Sequence, residues 1–208
     1  MKVRTRLAVC GVLALALSVT VGLGSAQAKK KAAKIGGTID VTTAANAPIP
    51  NGGANFNGLL TSSTTVGGKK FKGTRIRDVN VTVQTTGSAA NAAGDIAARL
   101  TAPDGTTTWL FAFLSGQSIG PLTLDDQSVN TLGQSPPAPD STTLVAPYAG
   151  SAQPATFFNF GPTAMSELNN GVASGTWTLR VYDLAGGTTS ILNSWRLVAI
   201  AGRPYKTK

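Results

Sequence analysis

Two tryptophan runs near the C-terminus constrain this fold more than any other feature of the chain. Gly175-Thr176-Trp177-Thr178-Leu179-Arg180-Val181-Tyr182-Asp183 alternates apolar and polar residues, and Leu192-Asn193-Ser194-Trp195-Arg196-Leu197 continues the habit to Ala199. A period of two marks a half-buried strand. Trp177 shares its strand face with Leu179 and Val181, and Trp195 shares its face with Leu197 and Ala199. Both indoles are therefore expected in a core rather than on a sugar-stacking platform. The glycine turn Gly186-Gly187 joins the two strands.

Upstream the same period recurs. Val79, Val81 and Val83 alternate with Asn80 and Thr82, and Ile76 falls out of phase with them, which predicts a bulge near Arg77-Asp78. Ile96, Ala98 and Leu100 form the next strand. Pro103-Asp104-Gly105 reads as a turn, because proline presets φ and glycine accepts positive φ. Trp109 to Leu114 follows as a nearly continuous apolar strand, closing a hairpin, with Trp109, Phe111 and Phe113 expected on one core face. Leu122-Thr123-Leu124-Asp125-Asp126 is a short strand ending in two acids. Residues 133–147 are proline-rich and predict a long loop, and Phe157, Phe158 and Phe160 are expected to add aromatic mass to the core. Thr163 to Asn169 predicts one helical turn with Met165 and Leu168 inward. Many short strands with turn signals every 8–12 residues or so predict an all-β sandwich or barrel.

The ends read differently. Lys2, Arg4 and Arg6, the apolar run Leu7 to Gly24 and the small-x-small site Ala26-Gln27-Ala28 predict a signal peptide over 1–28 and a secreted, extracytoplasmic protein. After cleavage nothing spans the membrane; an uncleaved anchor is the structural alternative, since the run is near the lower length limit for a span. Residues 29–55 are rich in Lys, Ala, Gly and Pro and are expected to be a disordered leader, with an edge strand over Ile35 to Val41 as the alternative. The sandwich is expected over 56–203, and 204–208 as a basic tail. The single cysteine, Cys10, lies in the signal, so no disulfide is expected in the mature chain.

The formal charge of +9 sits mostly at those ends. Between Phe56 and Arg203 there are nine basic and eight acidic residues, so a nucleic-acid partner is not expected. The chain has no histidine. Gly116-Gln117-Ser118-Ile119-Gly120 matches the Gly-x-Ser-x-Gly pattern, but that motif needs a histidine base and a following helix, so a Gly/Ser loop is expected there and no enzymatic activity. Asp78, Asp95, Asp104, Asp125, Asp126 and Asp183 fall near strand ends. Asp95, Asp125, Asp126 and Asp183 are the candidate metal ligands, for a structural Ca2+ bound by loop oxygens; the alternative is that they are solvated turn residues. Asn80-Val81-Thr82 fits a glycosylation site but lies within a strand, and carries no weight here.

The order of these segments resembles the P domain, or P/Homo B domain, of proprotein convertases and related subtilisin-like proteases. The resemblance runs from about Ile76 to Leu197. It is carried by Ile76-Arg77-Asp78-Val79-Asn80-Val81, Gly94-Asp95-Ile96, Pro103-Asp104-Gly105-Thr106, Leu124-Asp125-Asp126, Pro147-Tyr148-Ala149-Gly150, Phe160-Gly161 and the two tryptophan strands. It implies a jelly-roll β-sandwich of about eight strands, a module that follows a serine endopeptidase domain, stabilises it and tunes its calcium and pH dependence. Two positions depart from the pattern: Gly187-Thr188-Thr189-Ser190 stands where the family has Gly-Asp-x-Gly, and Gly87 stands where it has histidine. Three functions are consistent with this sequence. One is an accessory or protein-binding module whose partner is a protein or the cell envelope, a protease in trans included. The others are a carbohydrate- or cell-surface-binding module and a structural envelope protein held by strand addition.

Overall fold

The structure is a computed structural model that describes residues 36–52, 58–132, 143–144, 148–156 and 160–203. The expected signal peptide, the basic tail, most of the proline-rich segment, Phe157 and Phe158 lie outside the described residues. Twelve strands are present among those described, where the family resemblance implies about eight. They are β1 (Thr38–Ile49), β2 (Gly58–Val66), β3 (Arg75–Gly87), β4 (Ile96–Thr101), β5 (Thr107–Ala112), β6 (Ile119–Leu124), β7 (Thr131–Leu132), β8 (Thr143–Leu144), β9 (Gly150–Ala152), β10 (Ala155–Thr156), β11 (Gly175–Asp183) and β12 (Ser190–Gly202). One five-stranded sheet has the order β1-β12-β3-β6-β9, and the second has β10-β5-β4-β11-β2. The short pair β7-β8 stands apart from both. The protein is an all-β sandwich, as the alternation predicts.

The tryptophan strands behave as their spacing requires. Trp177, Leu179 and Val181 are fully buried, and so are Leu197, Trp195 and Ala199 to within 1%. The turn between them does more than reverse the chain, because β11 belongs to the second sheet and β12 to the first. Residues 184–189 therefore carry the backbone across the sandwich. Each buried indole N–H finds an acceptor: Trp177 donates to the Ala173 carbonyl at 3.2 Å, and Trp195 donates to the Ser62 hydroxyl of β2 at 2.9 Å. The second bond runs from one sheet to the other.

Several local expectations are met. Asp78 pairs with Ile200 and Ile76 with Ala201, which leaves Arg77 as the extra residue of a bulge. Gly105 takes φ +89° in the Pro103-Asp104-Gly105 turn and donates its N–H to Ala102. Met165–Leu168 forms a 3-10 turn with Met165 and Leu168 both buried. Tyr148 is fully buried at φ +50°, and its hydroxyl accepts from the Ser115 N–H at 2.9 Å, tying the segment before β9 to the loop after β5.

Two expectations are corrected. The leader over 29–55 gives way at Thr38–Ile49, where the edge strand held as the alternative over Ile35 to Val41 forms, starting later and running to twelve residues, paired with β12 and anchored by buried Ile39 and Ile49. Its inward positions between those anchors are Val41, Thr43, Ala45 and Ala47, so small that no apolar stripe shows in the sequence. The second concerns Trp109. Arg99 pairs with Trp109 and Ala98 with Phe111, so Leu110 is an extra residue opposite no partner. That bulge breaks the period of two. Leu110 and Phe111 are both buried, and Trp109 is turned to the outer face of the second sheet, half-buried.

Trp195→Ala is expected to lower the unfolding free energy by about 3–5 kcal/mol, as for other buried tryptophans. Trp195→Phe keeps a ring in the gap but leaves the Ser62 hydroxyl without its donor, and is expected to cost less. Urea unfolding of both variants beside the wild type checks the order; equal stability of all three would show that Trp195 does not hold the sheets.

Candidate binding face

The four candidate calcium ligands do not gather at one place. Asp95 closes the 3-10 turn Ala92–Asp95 beyond the end of β3, and Asp183 closes β11 beside it; the Leu184 N–H donates to the Asp95 carbonyl at 2.6 Å. The Thr188 hydroxyl donates to the Asp95 carboxylate at 2.7 Å. Asp183 is buried; one of its oxygens accepts from the Ala185 N–H at 3.1 Å, and the other has no hydrogen-bond partner. Burial first, and the neighbouring Asp95 charge after it, hold the Asp183 carboxyl above the ordinary aspartate range against the N–H groups of Ala185 and Gly52.

Asp125 and Asp126 lie at the opposite end of β3. Adjacent in sequence, they serve different tasks. Asp126 caps the Met165–Leu168 turn, its two oxygens accepting from the Met165 and Ser166 N–H groups at 2.8 Å each. Asp125 accepts from the Gln127 N–H at 2.8 Å, and the Gln127 side-chain amide, oriented by the network, bridges Asp125 at 2.6 Å and Asp78 at 3.2 Å. Burial, and then the Asp125 charge, push the Asp78 carboxyl up. Among the described residues no group of three or more acidic, histidine or cysteine side chains is arranged to hold a metal. Calcium takes six to eight oxygens; several of these carboxylate oxygens already accept from N–H, hydroxyl or amide donors, and the second Asp183 oxygen does not. Asp104 is the turn residue expected, and also a cross-link: despite some burial, the N–H groups of Thr106 and Val172 hold its carboxyl below the usual range.

Ser118 sits in the loop before β6, between Gly116 at φ +92° and Gly120 at φ +99°. A strand follows it, not the helix of a nucleophile elbow.

The chemistry that the structure does assemble is on the outer face of the second sheet. The register places Thr61, Arg180, Arg99 and Trp109 in one row across β2, β11, β4 and β5. The Arg99 guanidinium lies 5.4 Å from the Trp109 ring centre and 5.8 Å from that of Tyr182, within cation–π range of both. Tyr182 is 5.5 Å from Trp109, centre to centre, and Phe160 is 5.0 Å from it. Phe160 thus belongs to this outer cluster and not to the core. Among the described residues the one ion pair is Arg196–Asp40 at 2.6 Å, on the other sheet. Neither Arg99 nor Arg180 meets a carboxylate, and the Arg99 Nε is buried without a partner. Next along the strands, Ser63 bonds Thr178 at 3.0 Å and Thr65 bonds Thr176 at 3.5 Å, a row of hydroxyls.

The sequence alone does not signal this face. The alternation marks Arg180 and Tyr182 as outward, but only the bulge at Leu110 brings Trp109 to join them. No motif encodes a bulge in an unbroken apolar run.

No protein-family model matches the chain, and no curated protein sequence matches it. A solved structure is similar in its course: a chain in the crystal structure of the Aeromonas sobria serine protease (ASP) and chaperone (ORF2) complex, with a TM-score of 0.46 and 17% identity over 82% of this chain. This chain spans 28% of the length of that one.

The buried Asp183 has a pH signature. A carboxyl raised in the folded state favours its protonated form there, so folding stability is lost as pH rises from the ordinary aspartate value of 3.8 through the raised one. Asp183→Asn removes that term while keeping an acceptor for the Ala185 N–H. The variant is expected to gain on the wild type as pH rises from about 4 to about 7 in urea unfolding, with Asp78 supplying the slope that remains. A stability difference that does not change with pH would show that Asp183 is ionised at no cost.

Proposed function

We propose that this chain is a secreted, non-catalytic binding module of the P-domain kind, an accessory that docks on a macromolecular partner in the extracytoplasmic space. In the family it resembles, the module follows a serine endopeptidase domain, and a protease acting in trans is one partner this reading admits. The ordered motifs from Ile76 to Leu197 support the module, and the absence of histidine together with the strand after Ser118 supports a role without catalysis. The observation that carries the reading is the row Arg180-Arg99-Trp109: two guanidinium groups on neighbouring strands, without carboxylate partners, against a half-buried aromatic cluster. Like charges placed directly opposite each other on a sheet are unfavourable, and an anionic partner would relieve them.

Capture of partners from the producing organism's medium and envelope tests this, with wild type and Arg180→Glu compared in the presence and absence of calcium. The expected outcome is calcium-independent capture that Arg180→Glu abolishes. Equal capture by both proteins would remove the face from the reading. Cleavage of peptide or ester substrates by the purified protein, lost in Ser118→Ala, would overturn the non-catalytic role.

A further inference from the structure

We propose that the outer face of the second sheet binds an acidic polysaccharide, with carboxylates on Arg99 and Arg180 and sugar rings across Trp109 and Tyr182. This rests on the binding-module reading above and names the ligand class. Charge is the first argument. Arg180 and Arg99 are direct cross-strand partners, and no described acid is paired with either. Their side chains lie about 5 Å apart at the backbone, the spacing of neighbouring strands, so both can reach one carboxylate or two successive ones. Guanidinium groups bind carboxylates in a bidentate fork, and Arg99 is already held in place by its two rings.

The second argument is the surroundings of that pair. Four buried side-chain polar atoms among the described residues have no hydrogen-bond partner, and two of them are Arg99 Nε and Thr101 Oγ1, on the same face of β4. Unsatisfied buried groups are costly; these two lie closed beneath the face, so bonds to a ligand fall to the terminal guanidinium nitrogens. One row further along the strands, at about 7 Å, Thr178 and Ser63 offer hydroxyls to the hydroxyls of a sugar. Trp109 and Tyr182 offer partly open ring surface beside the charge, and the Trp109 indole N–H, unlike those of Trp177 and Trp195, has no acceptor among the described residues.

An acidic protein is the competing occupant, since Trp, Tyr and Arg also anchor protein interfaces. Such interfaces add an aliphatic centre, and on this face the one large aliphatic side chain that is exposed among the described residues is Leu59, at 43%, on the edge strand rather than at the centre. A flat surface that combines hydroxyls, half-buried rings and paired cations matches a polymer of hydroxylated, charged rings.

The test uses the full chain with three probes in isothermal titration: polygalacturonate, its fully methyl-esterified neutral form, and poly-glutamate. The expected result is binding to polygalacturonate alone, weakened by salt and weakened at least about tenfold in Arg180→Glu and in Arg99→Gln, as the loss of a charge-assisted contact requires. Tyr182→Ser, at a half-buried position of the cluster, is expected to weaken it as well, and circular dichroism of each variant confirms the fold. Equal binding of poly-glutamate and polygalacturonate would overturn the proposal, because charge alone would then account for the face. No binding of polygalacturonate would overturn it too. If partner capture is still lost in Arg180→Glu in either case, the binding-module reading survives without this ligand; if capture is unchanged, both fall.

Discussion

The separation of the two sheets is the constraint on which the rest of this structure depends, and Trp177 and Trp195 hold it. Each sheet contributes one indole to the gap, and both are buried to within 1%. Apolar burial of that size is among the largest single contributions a side chain can make. The Trp195 N–H adds direction, since its bond to Ser62 fixes where β2 lies against β12. Once the gap is set, the inward residues of β3, β4 and β6 pack into it, and the outward residues of β4, β5 and β11 are held in register as a stiff face. A binding surface made of side chains on a sheet inherits that stiffness, and less ordering entropy is lost when a ligand arrives.

Much of this fold is legible in the sequence, and the exceptions have physical causes. The phase slip of Ile76 against the valines marks the bulge at Arg77, because one residue of a strand's hydrophobic set cannot change face without an insertion. The bulge at Leu110 leaves no such trace, since every residue from Trp109 to Leu114 is apolar and any phase fits. Edge strand β1 is legible only at its start, where Ile39 and Val41 alternate; beyond them threonine and alanine fill the inward positions as far as Ile49, so composition there suggests a leader. The acids are a third case. Asp125 and Asp126 are neighbours in sequence, but one closes a turn and the other caps a second element. Oxygens that accept from N–H groups at 2.8 Å have part of their capacity committed to the fold. Sequence proximity records which groups are near, and not which demands they already meet.

The distribution of charge follows the same logic. On the first sheet Arg196 is neutralised by a bidentate contact to Asp40, whose carboxyl it holds below the usual range. An exposed pair of this kind contributes little to stability. The arginines of the second sheet have no such partner. The two faces of one sandwich therefore differ in electrostatic character although the folded span is nearly neutral, and the difference comes from a handful of strand positions.

The pairing of β1 with β12 has a mechanical meaning. Thr38 lies opposite Ile200, so the first and last strands of the sandwich meet antiparallel, with the chain entering and leaving at the same pole. Tension applied through the two ends would not load the whole ladder at once. It would peel the β1–β12 bonds one after another, beginning with the Ala201 N–H to Gly37 and passing next to the Asp40–Arg196 contact. A module anchored by both ends would yield there first, like a zipper opened from its tab, while the sheet that carries Arg99 and Arg180 stayed closed.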